Sequence, residues 1–330
     1  MVYLTLAAGI VLLLIGGDVL VRGAVSLAVR LDIPTLVIGL TIVAFGTSAP
    51  ELVISLRAAL AGSSGIAVGN VVGSNIANVF LVLGIPALIA TTNCDQPFIK
   101  RNMMYVIGAS LVFILLCFNG PLTFWHGAIL FGLMVAFLVE SGRRAAKRSD
   151  AAAVIGEEAI ELIDGVSGVP HRNWSIVLFL AIGLIALPIG AQMTVSAASE
   201  IARDFGISEA TVGLTLIALG TSLPELATTM SAAIRGQCGL ALGNVLGSNL
   251  FNILAIMGLT AMVVPVPIPE VITRIDLWVM LAAALAIAPF VLRRKCISWP
   301  AGIVFVACYL LYISFVFIPR AGQIAQLASQ

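Results

Sequence analysis

The stretch Gly39–Leu52, "GLTIVAFGTSAPEL", places a proline and a glutamate inside an otherwise apolar run. It recurs at Gly213–Leu226 as "GLTLIALGTSLPEL", identical at 10 of 14 positions. A second pair, "GNVVGSNIANVF" from Gly69 and "GNVLGSNLFNIL" from Gly243, agrees at 7 of 12 positions, and both pairs stand 174 residues apart. Two separate stretches that share one spacing define an internal repeat.

The surroundings are those of a membrane. Of 330 residues, 60% are hydrophobic and 10% charged, against roughly 25% charged in a soluble domain. The charge falls between continuous apolar runs of about 20 residues, the length that crosses a hydrocarbon core as a helix. A β-barrel would alternate instead. Hydropathy and breakers predict ten spans, near 3–29, 35–61, 66–90, 102–118, 122–140, 174–202, 209–234, 239–264, 272–292 and 298–318. The N-terminal run lacks a basic flank and reads as a retained first helix. Trp125, Trp174, Trp278 and Trp299 fall near span ends, where an aromatic belt belongs.

Each copy of the repeat then holds five helices. An odd number makes the second copy insert upside down, the inverted-topology plan of secondary transporters, whose site lies near the midplane between the copies. The expected fold is an all-α polytopic membrane protein of ten transmembrane helices, built as two inverted five-helix repeats at 1–140 and 174–330. A polar linker at 141–173 joins them on the cytoplasmic side. Positive charge orients the chain. Lys100, Arg101, Arg143, Arg144, Lys147, Arg148, Arg235, Arg293, Arg294 and Lys295 fall in loops that face inward when both termini are outside. Compact size favours a prokaryotic inner membrane. A net charge of +1 gives no reason to expect nucleic acid, and nothing calls for a protein partner or a cofactor.

The repeated motif has a chemical reading. Pro50 and Pro224 lack an amide hydrogen and break their helices. Carbonyls near Ala44–Gly46, and at Ala218 in the second copy, are expected to lose their partners. Lipid cannot supply substitutes, so such backbone must face protein or a wet cavity. Thr47, Ser48 and Glu51 add oxygen on one side, and Thr221, Ser222 and Glu225 on the other. Asn70, Ser74 and Asn78 form one helical stripe, as do Asn244, Ser248 and Asn252. The donors are all oxygen, which suits Ca²⁺ or alkali cations and not zinc or copper. Two glutamates at midplane are costly when ionised. An empty site of charge −2 should resist an occluded passage that one divalent cation, sodium ions or protons would permit. That is the logic of obligatory exchange.

These residues resemble a known family. The pairs "GTSAPE"/"GTSLPE" and "GNVVGSN"/"GNVLGSN", across two five-helix halves, are similar to those of the sodium/calcium exchangers, Ca²⁺:cation antiporters. The resemblance covers essentially the whole chain outside the linker. It implies Ca²⁺/Na⁺ exchange by alternating access. Glu51 and Glu225 would be the central Ca²⁺ ligands, and Thr47 and Thr221 would add backbone carbonyls. The Ala44 and Ala218 carbonyls with Ser48, Ser222, Ser74 and Ser248 would hold flanking Na⁺. Helices 1 and 6 would slide across the remainder. Some members carry an aspartate at one of the two motif asparagines. Here both are amides, Asn78 and Asn252, which implies independence of K⁺.

Blander roles fit other residues. Asn70, Asn75, Asn244 and Asn249 read as interhelical glue. The pairs Gly69/Gly73 and Gly243/Gly247 read as close-packing positions. Asp18 and Arg22, four apart, read as a local ion pair, with a gating or ion-path role as the alternative. His126 and His171 are not expected to be ligands. The five cysteines are scattered, without a CxxC, and predict neither disulfides nor a metal cluster. Competing functions are a Ca²⁺/H⁺ antiporter, an exchanger of another divalent cation and, less well supported, a cation channel. No HExxH or GxSG-type nucleophile elbow favours an enzyme.

Overall fold

Helices carry the fold. The computed structural model describes residues 1–149, 168–170, 172–205 and 220–328, and their side chains except at 145–149 and 316–328. Helix α1 runs Val2–Leu31. Next come α2 (Thr35–Thr47) and α3 (Ala49–Leu60), one apolar pair bent by 45°, then α4 (Ser64–Ile89), α5 (Ile99–Phe118) and α6 (Phe124–Ser149). After the linker come α7 (Asn173–Asp204), α8 (Leu223–Ile234), α9 (Cys238–Val263), α10 (Ile272–Leu292) and α11 (Trp299–Ala328). Seven of these are each long and apolar enough to cross a membrane, and the bent pair makes eight. The apolar part of α11, Trp299–Phe315, is shorter. Most of the linker, His171 and the first half of the span expected at 209–234 lie outside the described residues.

The layering follows from burial. In α9 89% of the apolar window is enclosed and in α4 72%, against 33% in α1 and α7. The two carriers of the "GN…GSN" motif therefore form the centre, and α1 and α7 lie at the periphery. They pack on each other along glycines. A Cβ at Gly9 would meet Thr194 and Gly190, one at Gly16 would meet Ala186, and one at Gly183 would meet Leu20. In the centre, Gly243 and Gly247 press on Leu36, Leu40 and Ala44 of α2, the close approach such spacing allows. Among the described residues nothing lies within 4 Å of a Cβ built at Gly69 or Gly73. The segment 213–218, which the repeat would place there, is outside the described residues.

The backbone itself repeats at the 174-residue spacing. Ser48 and Ser222 break their helices with φ, ψ of −86°, 5° and −88°, 2°. Ser63 and Gln237 open the next helices at −91°, 57° and −81°, 60°. Ala90 and Val264 close them in extended conformation. The tight turns before Ser63 and Gln237 use Gly62 and Gly236, both at positive φ, where a side chain would be strained. Two short ladders follow the same spacing to within one residue. Thr92–Asn93 pairs antiparallel with Cys296–Ile297, and Leu122 bridges Val266. Each ladder joins a segment of the first copy to one of the second.

Candidate functional site

The helix break at Ser48 is where the site begins. Helix α3 restarts with Pro50 in its first turn, where a missing N–H costs nothing. Ser48 stands at the N-cap, yet its hydroxyl makes no cap bond. It donates instead across the molecule to Glu225 Oε1 at 3.0 Å. Ser222 caps α8 in the same way, also without a cap bond. Capping by serine stabilises a helix by about 1 kcal/mol, and here the hydroxyls are turned inward. Glu51 and Glu225 each fall in the first turn of their helices, where the helix dipole favours a negative charge.

Both glutamates are 1% exposed, and their carboxylates are close enough to feel each other's charge. Glu225 also accepts from the Ser248 hydroxyl at 3.4 Å. Its Oε2 and both oxygens of Glu51 have no hydrogen-bond partner of ordinary geometry among the described residues. The Thr221 hydroxyl faces Glu51. Among the described residues no basic side chain pairs with either carboxylate.

The second motif completes the cradle. Asn70 Nδ2 donates to the Glu51 carbonyl at 3.3 Å and to Ser55 at 2.9 Å. Asn244 Nδ2 repeats this with the Glu225 carbonyl at 3.3 Å and Thr229 at 3.0 Å. Asn244 Oδ1 also accepts from the Thr47 hydroxyl at 3.3 Å, tying the two copies together. Asn78 Nδ2 donates to Asn249 Oδ1 at 3.0 Å, leaving Asn78 Oδ1 unpaired. Among the described residues neither amide atom of Asn252, which is fully buried, has a partner. The Ser74 and Ser222 hydroxyls are likewise buried without partners among the described residues. Both motif helices wind into a π turn here, Asn78–Val82 and Phe251–Ile256, a feature frequent at functional sites.

One expectation is corrected. The Ala44 carbonyl is not orphaned, because it accepts the Ser48 N–H at 3.0 Å and the Thr47 hydroxyl at 3.4 Å. The ladder survives up to the Ser48 N–H, while the Gly46 carbonyl does lose its i+4 donor, since Pro50 has no N–H. A carbonyl's second lone pair could still face an ion. Ala218 lies outside the described residues. The glue roles of Asn70, Asn244 and Asn249 correspond to the bonds above. Ser55 and Thr229 carry no motif signal beyond standing 174 residues apart, yet they anchor the two asparagines. Helix α7 covers both breaks. A Cβ at Gly46 would lie 2.1 Å from Leu184, and one at Gly220 would lie 2.1 Å from Val195.

Buried polar atoms are almost always paired, so a knot of unpaired oxygens around two carboxylates is a set of donors without an acceptor. Hydroxyls, amide oxygens and carboxylates are hard ligands that suit Ca²⁺ or Na⁺. No group of three or more His, Cys, Asp or Glu among the described residues could hold a metal, which sets this cradle apart from transition-metal sites.

Comparison with known proteins agrees. A family model described as sodium/calcium exchanger protein matches residues 1–141 and 175–318. The chain is 32% identical to the sodium/calcium exchanger MaX1 of Methanosarcina acetivorans over 96% of this chain and 98% of that one. It is 37% identical to the inner membrane protein YrbG of Escherichia coli over 88% of each. Its fold is similar to that of the sodium-calcium exchanger NCX_Mj soaked with zero Na⁺ and Ca²⁺, with a TM-score of 0.79 and 30% identity over 96% of this chain and 100% of that one. The family and the fold are those of transporters. By family and by fold the chain belongs to the sodium/calcium exchangers, integral membrane proteins that exchange cations.

Proposed function

We propose that this chain is a secondary antiporter that moves Ca²⁺ in exchange for Na⁺ by alternating access. It would do so as ten transmembrane helices in two inverted five-helix repeats, 1–140 and 174–330, joined by the linker at 141–173. The observation that carries the reading is the pair of buried carboxylates with no basic partner among the described residues, ringed by unpaired oxygens. Glu51 and Glu225 would bind Ca²⁺ between them with the Thr47 and Thr221 carbonyls. Ser48, Ser222, Ser74, Ser248, Asn78, Asn252 and the carbonyls of Ala44 and Ala218 would complete the cation positions.

The charge sets the coupling. Two buried carboxylates without a cation carry several kcal/mol of desolvation and repulsion. One Ca²⁺ or a set of Na⁺ removes that penalty, so the loaded protein crosses its occluded state and the empty one stalls. The glycine seam of α1 and α7 supports a rigid pair that shifts over both helix breaks. With the basic loops inside, both termini face out, in a prokaryotic inner membrane. Amides at positions 78 and 252 favour independence of K⁺.

The test is flux in sealed vesicles holding the purified protein. ⁴⁵Ca²⁺ uptake should need an outward Na⁺ gradient, should be indifferent to K⁺ and should vanish in Glu51→Gln. Uptake driven by protons alone would make the counter-ion H⁺. Ca²⁺ flux at full rate with no cation on the opposite side would overturn exchange altogether.

A further inference from the structure

Outside the cation cradle, charge gathers on one stretch of α1. Arg22 Nη2 lies 2.7 Å from Asp18 Oδ2, the predicted local pair. The sequence did not disclose the third member. Arg235, the residue that caps α8, donates Nε to Asp18 Oδ1 at 2.6 Å and bonds it through Nη2 as well. The three side chains are 17–29% exposed, so the cluster is neither freely hydrated nor fully buried. The described end of the linker rests on the same stretch. Ser26 donates to the Pro170 carbonyl, and Gly168 lies against Arg22.

The repeat supplies the control. Shifted by 174 residues, Asp18 becomes Gln192, Arg22 becomes Ser196, and Arg235 maps back to Ala61. None of these three can form an ion pair. The neighbouring packing is unequal as well. Gly17 presses on the backbone of Ala227, where an added Cβ would lie 2.8 Å from the carbonyl oxygen. The counterpart of Ala227 is Val53, which is 48% exposed where Ala227 is 9%. So α1 sits close on α8, while the equivalent contact of α7 with α3 is open at Val53. In an inverted repeat the opposite access state exchanges the arrangements of the two copies. That exchange would close α7 on α3 and lift α1 from α8, drawing Asp18 away from Arg235.

We infer that Asp18 and Arg235, steadied by Arg22, form a one-sided ionic latch that biases the protein toward the arrangement in which α1 lies on α8. This rests on the alternating-access reading above. A charge-assisted, two-pronged contact is stronger than a lone surface pair. Its loss should therefore shift the balance of the two arrangements by roughly three- to tenfold.

The test is a spin-label distance measurement between Ile15→Cys on α1 and Ile234→Cys at the end of α8, both exposed, with the native cysteines replaced. It is run on the full chain in lipid with Ca²⁺, with Na⁺ and with chelator. Two distance populations are expected. Asp18→Asn and Arg235→Gln should each move their ratio the same way by roughly three- to tenfold, and Arg235→Lys by less. The paired change Gln192→Asp with Ala61→Arg installs the latch in the other copy, favours α7 on α3, and should move the ratio in that same direction, away from α1 on α8. Two populations whose ratio stays within about twofold in both Asp18→Asn and Arg235→Gln would overturn the latch. A single population in the unmodified protein under every ionic condition would overturn the alternation beneath it.

Discussion

Replacing Glu225 by glutamine separates charge from shape. Glu225 Oε1 accepts from Ser48 at 3.0 Å and Ser248 at 3.4 Å. A glutamine carbonyl oxygen in that place keeps both bonds, so the fold around it should persist. At the second position an unpaired carboxylate oxygen becomes an N–H₂ group that points hydrogens where a cation would sit. The gross attraction between a divalent ion and a carboxylate oxygen at about 2.4 Å is ~14 kcal/mol at an effective dielectric of about 20. Most of it is offset by dehydration of the ion. Losing one partner of a buried charge pair typically costs ~3–5 kcal/mol net, which at about 1.4 kcal/mol per decade is a ~10²–10⁴-fold loss of Ca²⁺ affinity. Without the ion the sign reverses. Glu225→Gln removes one of two facing buried charges, so Tm in ion-free buffer should hold or rise, and the gain in Tm on adding Ca²⁺ should disappear. Titration calorimetry and thermal unfolding of purified protein test both halves. Ca²⁺ affinity within about threefold of the parent, in a folded protein, lies under 1 kcal/mol and would refute the reasoning.

Other substitutions separate packing from binding. Asn252→Leu removes two buried, unpaired amide atoms, so ion-free Tm should not fall while Ca²⁺ or Na⁺ binding weakens. Asn244→Leu removes three bonds and strands their partners, so it should cost about 2–4 kcal/mol, read as a lower Tm with or without ions. Gly243→Ala would put a Cβ 2.4 Å from the Leu36 carbonyl oxygen, forcing α9 from α2 at a cost of about 1–3 kcal/mol or more. Gly108→Ala, which meets nothing within 4 Å, is its neutral control. Maleimide at neutral pH should modify exposed Cys296 well before Cys94. Cys94 is buried in the loop before α5, which pushes its thiol up to about 12 and leaves almost no thiolate to react.

The sequence carried the features that repeat and the features that are local. Two motifs at one spacing disclosed the doubled helix break, and apolar length disclosed most spans within a few residues. Glu51 and Glu225 could be named because a carboxylate among apolar neighbours needs a reason. Contacts between distant segments could not be read. Nothing local says that the Ser48 hydroxyl abandons its own helix to reach Glu225, or that Asn244 grips Thr47 of the other copy. In sequence Arg235 is a loop charge; only the fold sets it beside Asp18. The Ala44 carbonyl was misjudged because proline marks where a helix breaks but not how tightly the preceding turn closes.

The small ladders at Thr92–Asn93 and Leu122 bear on how the chain is made. Each waits for a partner encoded far downstream, Ile297 for Thr92 and Val266 for Leu122. At synthesis rates of about 5–20 residues per second, Thr92 stays without its partner for roughly 10–40 s. The central helix α4 waits in the same way for α9. Helices α1 to α6 thus enter the bilayer as an unfinished surface, with polar stripes and strand edges held open, and the molecule closes only when its last helices arrive.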